Sequence, residues 1–122
     1  MRSAALLLCA ALPVAACPLA APGLQRGAVQ AAWQVEAAPI SVGRHFAITV
    51  QLCPASAVLA RVDATMPEHR HGMNYRPSVK RLGDGRWRVE GLMFHMPGRW
   101  QLRLDVQADG AAAQLVETIS LL

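Results

Sequence analysis

Helical periodicity is what this 122-residue sequence lacks most plainly: beyond its N-terminal leader, no stretch of ten or more residues shows a convincing 3.6-residue period. That argues against a helical fold, and it leaves no recognition helix for nucleic acid. Acids are few, eight Asp and Glu against twelve Lys and Arg, and they show no paired arrangement for acid–base work. The candidate nucleophiles are Cys53 and five serines, none in a recognisable elbow or beside a histidine in sequence. No enzymatic activity is expected. The net charge of +4, which drops by one without Arg2, comes almost wholly from arginines scattered along the chain. A solvated or partner-facing basic surface fits that scatter better than nucleic-acid binding does.

What is present begins with a leader. Arg2 is followed by an apolar run through Leu6, Leu7, Leu8, Ala10, Ala11 and Leu12 and then by small residues, the layout of a secretory signal. The run Val14-Ala15-Ala16-Cys17 looks like the lipobox of bacterial lipoproteins, in which the cysteine is acylated and becomes the mature N-terminus. Plain secretion would instead cut near Ala20 or Ala21. A retained membrane anchor is disfavoured, because Pro13, Pro18 and Pro22 would break the helix it needs. The expected division is a signal peptide over 1–17 with Cys17 lipidated, a linker over 18–27 and one domain over 28–122. With Cys9 lost and Cys17 acylated, Cys53 would be a lone cysteine, read as a small buried hydrophobe or a free thiol.

The domain reads as strands. Val29, Ala31, Trp33 and Val35 alternate with more polar neighbours, as do Phe46, Ile48, Val50 and Leu52. A third strand is expected from Val58 to Met66, ended by Pro67, which cannot donate to a sheet ladder. A fourth covers 78–82, and Gly83-Asp84-Gly85 turns it into a fifth over 86–90. Trp100, Leu102, Leu104 and Val106 mark a sixth, and Ala108-Asp109-Gly110 turns the chain into the last. Seven short antiparallel strands predict an all-β, immunoglobulin-like sandwich behind the N-terminal signal segment.

Three of the four histidines, His69, His71 and His95, lie beside methionines in Met66-Pro67-Glu68-His69-Arg70-His71-Gly72-Met73 and His95-Met96-Pro97-Gly98. In an extended segment His69, His71 and Met73 would share a face, but neighbours on that face stand about 7 Å apart. One ion would therefore be reached by two of them plus a ligand from elsewhere, His95 or Met96. Thioethers are soft neutral donors that suit Cu(I), and imidazole suits either copper state. Glu68 is the only carboxylate in the first segment, and Arg70 and Arg76 would penalise a divalent ion more than a monovalent one. The competing reading makes Met66, Met73 and Met96 core filler, as buried methionines commonly are. His45, beside Phe46 and without a soft neighbour, is expected on the surface.

At these residues the sequence resembles a known group. The run from Ala64 through Met66-Pro67-Glu68-His69-Arg70-His71-Gly72-Met73 to Tyr75, followed by Gly91 through His95-Met96-Pro97-Gly98-Arg99-Trp100, looks like the YtkA-like domain and its FixH-like relatives, over about residues 58–107. The resemblance implies an immunoglobulin-like sandwich in the bacterial cell envelope with a role in copper handling or the assembly of copper-containing oxidases. FixH-like members carry a true membrane helix, which this proline-broken leader does not match. Arg70 stands where glycine would be the commoner residue. Two functions are expected to compete. One is a periplasmic or lipid-anchored copper-binding protein with His69, His71, Met73, His95, Met96 and Met66 around Cu(I), passing it to an envelope partner. The other is a metal-free accessory module docking onto a membrane complex through its basic strands and Trp87 or Trp100, although both tryptophans read more naturally as core.

Overall fold

A computed structural model describes Cys17, Leu19, residues 23–37 and residues 39–122. The leader over 1–16 lies outside the described residues. The strands are β1 (Leu24–Arg26), β2 (Val29–Val35), β3 (His45–Cys53), β4 (Val58–Met66), β5 (His71–Gly72), β6 (Ser78–Gly83), β7 (Arg86–Met93), β8 (Gly98–Ala108) and β9 (Ala111–Leu121), with one 3₁₀ turn at Pro67–His69. The chain is all-β, as its alternating pattern predicts, and the seven expected strands are joined by two short ones, β1 and β5.

The strands form two antiparallel sheets, one ordered β1-β2-β3-β7-β6 and the other β5-β4-β8-β9. Without β1 and β5, the orders β2-β3-β7-β6 and β4-β8-β9 are those of a constant-type immunoglobulin sandwich. The alternation that marks each strand is the alternation of burial. Ile48, Val50 and Leu52 of β3, Val62, Ala64 and Met66 of β4, Val89 and Leu92 of β7, and Trp100, Leu102, Leu104 and Val106 of β8 all point between the sheets. Trp33 completes one side by donating its indole N–H to Glu117 on the inner face of β9.

Two boundaries differ from the sequence expectation. Leu24–Arg26 was assigned to a linker, but it pairs with β2 in the register Leu24↔Ala31, Gln25↔Gln30 and Arg26↔Val29. Three residues are too few for a period-two pattern to stand out among alanine, proline and glycine. Cys17, expected to carry lipid, forms a disulfide with Cys53, their Cα atoms 5.6 Å apart. A sulfur in a disulfide has no thiol left for a thioether, so the two fates exclude each other. Cys53 is buried, as expected, but it is not a lone cysteine.

The basic surface is partly paired. The Arg88 guanidinium forks onto Glu36 at 2.7 and 2.9 Å and also meets Glu90, and its pKa is raised, chiefly by the hydrogen bond to Glu36. Arg61 holds Asp63, Arg81 holds Asp84 and Arg103 holds Asp105. The exposed pair Arg81–Asp84 adds little stability.

Candidate functional site

Proline decides the shape of the histidine segment. Pro67 ends β4 and opens the 3₁₀ turn, and Arg70 closes it in a left-handed conformation (φ 54°) with its N–H on the Pro67 carbonyl at 3.3 Å. The chain therefore doubles back, and Met66 lies opposite His71, with Thr65 opposite Gly72. The extended face expected for His69, His71 and Met73 does not form. Arg70, where glycine would be the commoner residue, takes up a glycine-like conformation.

The histidines are brought together by this hairpin and by the β7–β8 connection. His71 lies between the other two, its ring centre 5.7 Å from that of His69 and 5.1 Å from that of His95. Trp100 forms the floor. Its ring meets His71 edge-on at 6.0 Å and His95 at 5.3 Å and stacks in parallel on Phe94 at 4.7 Å, and Phe94 in turn meets Phe46 edge-on. The Trp100 indole N–H donates to the Met96 carbonyl at 3.0 Å, which fixes the connection that carries His95. An aromatic ladder thus runs from the core to the exposed ring of His69.

The methionines divide. Met66 is only 1% exposed, and its Cε packs against Gly98, so it is core beside the cluster. Met96 is half-buried and adjoins His95 in sequence. Met73 lies elsewhere, lining a surface cleft of about 250 Å³ with Arg61, Asp63, Tyr75 and Arg76, its N–H bonded to the Ala64 carbonyl. His45 is exposed, as expected, and touches Tyr75 edge-on. Trp87 and Trp100 are 8% and 0% exposed, so both indoles belong to the core and neither is presented as a docking anchor.

The arrangement can be tested against a metal. Nitrogen–metal bonds of about 2.0 Å, with the ring centre about 1.1 Å behind each nitrogen, put two imidazoles on one ion with centres about 5–6 Å apart. Both histidine spacings fall in that range. As the side chains stand, no group of three or more His, Cys, Asp or Glu among the described residues converges on one point. Ring rotation would be needed for three donors to converge, and His95 Nδ1 is buried without a hydrogen-bond partner among the described residues. A buried nitrogen left unpaired is uncommon and costs stability unless a ligand satisfies it.

Sequence reasoning missed the role of Trp100 as the floor of the cluster. The signal was its place two residues beyond Pro97-Gly98, where the alternation of β8 turns it inward next to His95. No protein-family model, no curated protein and no solved structure matches this chain.

Proposed function

We propose that this chain is an exported copper-binding protein of the bacterial envelope, holding Cu(I) between His71 and His95 with His69 and Met96 completing the site, and passing it to an envelope partner without catalysing a reaction. The observation that carries the reading is the meeting of three histidines from two separate segments at centre-to-centre spacings of 5.1 and 5.7 Å. The His95 nitrogen without a partner among the described residues leaves a donor for a ligand, and the thioether of Met96, next in sequence, suits a monovalent, thiophilic ion over a hard one. The export-type leader supports an oxidising compartment, where thiolates are lost to disulfides and imidazole and thioether donors are the ones that persist. The likeness of the two motifs to the YtkA-like and FixH-like group points the same way. Relative to the sequence expectation the ligand set is narrower, since Met66 is buried and Met73 faces another cleft.

Titration of the folded chain with Cu(I) against a competing chelator tests this reading. Binding tighter than micromolar is expected, and it should weaken at least a hundredfold in His71→Ala plus His95→Ala. Micromolar or weaker binding that the double substitution leaves unchanged would overturn it, and a metal-free docking module would then be the better account.

A further inference from the structure

The described part of the N-terminal segment is built into the sandwich. Cys17 is bonded to Cys53 at the end of β3, and Cys53 is 4% exposed. Leu19 packs on Gly23, and Gly23 lies so close to β2 that a Cβ there would come within 2.8 Å of the Ala31 carbonyl oxygen. One residue further on, Leu24 begins the ladder with β2. Cleavage near Ala20 or Ala21 would discard Cys17 and leave Cys53 as an unpaired thiol. Lipid on Cys17 would take the same sulfur.

From this we infer that the leader is removed on the N-terminal side of Cys17, between Ala16 and Cys17, without acylation, and that Cys17 is kept as the first residue of the mature chain in order to lock it to Cys53. The same residues that look like a lipobox also satisfy an ordinary export cut: Val14 and Ala16 place a small aliphatic and a small residue at the third and first positions before the bond, the A-x-A-like pattern of secretory signals. The bond forms by thiol–disulfide exchange with an oxidising disulfide of the envelope. Two thiols lose two protons and two electrons, and the oxidant becomes a dithiol.

The test uses the full chain, Met1 to Leu122, expressed with export and recovered from the envelope. Intact mass should equal residues 17–122 less two hydrogens, and thiol alkylation should appear only after reduction. Cys17→Ser should still be cut at the same bond, because an ordinary signal peptidase does not need the cysteine, and should then expose one alkylatable thiol at Cys53. A diacylglyceryl adduct on Cys17, a mature N-terminus beyond Cys17, a retained Met1, or failure of Cys17→Ser to be processed would each overturn the inference. Covalent mass reads these outcomes whether or not a variant folds.

Discussion

Met66 and His71 face each other across the hairpin of β4 and β5, so a buried core methionine and the central histidine of the candidate site are cross-strand partners. This places the histidines over the end of the core, and changes in that corner should be felt in stability and, under the proposed function, in Cu(I) affinity.

The sharpest steric constraint there lies between Gly98 and Met66. Gly98 has φ +128°, and a Cβ on it would sit 2.7 Å from Met66 Cε. Gly98→Ala is expected to cost about 1–3 kcal/mol from overpacking and backbone strain. Shortening Met66 relieves the overlap, so the double variant Gly98→Ala plus Met66→Ala should be less destabilised than the sum of the singles. A chemical-denaturation cycle that comes out additive would contradict this contact.

Two buried tryptophans should respond differently to phenylalanine. Trp100 donates to the Met96 carbonyl, whereas Trp87 Nε1 is buried with no partner among the described residues. Trp100→Phe removes a bond and strands a carbonyl, at an expected cost of about 2 kcal/mol, while Trp87→Phe gives up only packing, about 1 kcal/mol or less. Thermal unfolding of the pair gives the order.

Arg70 holds a left-handed conformation that costs an ordinary residue about 1–2 kcal/mol. Arg70→Gly should therefore stabilise the chain by about 0.5 kcal/mol after the extra entropy of a glycine in the unfolded state is set against it. The same substitution in the Asp109-Gly110 turn, where both residues have positive φ and join Ala108 to Ala111, should act in the same direction.

Within the cluster the histidines are not equivalent. Among the described histidine rings, His71 meets both neighbours, and His69 meets His71 but not His95. Cu(I) affinity should fall about tenfold further in His71→Ala than in His69→Ala, a difference of about 1.4 kcal/mol. Equal losses in a chelator competition would argue against a central place for His71 in the site.

The Cys17–Cys53 disulfide spans a sequence separation of 36 residues. Loop-closure entropy for such a span predicts a loss of about 3–4 kcal/mol on reduction. Denaturant midpoints measured with and without reductant should show it, and Cys17→Ser plus Cys53→Ser should behave like the reduced chain.

The strands were legible because the sandwich buries one face of each, so inside and outside alternate in the sequence. Val58–Met66 was readable to the residue, since Pro67 ends it. The site was legible in composition but not in geometry. His69, His71 and Met73 share a face only if the chain runs straight, and the turn opened by Pro67 and closed by a left-handed Arg70 reverses it. The nearness of His95 depends on pairing between strands distant in sequence, which no local pattern encodes. The disulfide was not legible because Val14-Ala15-Ala16-Cys17 reads locally as a lipobox, while the pairing of Cys17 with Cys53 depends on a contact 36 residues away that no local pattern encodes.

β4 separates the two sulfur and nitrogen chemistries. It starts at Val58, a few residues beyond the disulfide, and ends at Met66, against the histidines. Nine strand residues at about 3.3 Å each set a spacing on the order of 25–30 Å. At that range the two ends are independent in free energy, so breaking the disulfide should change how readily the chain unfolds but not how tightly its folded form holds a metal.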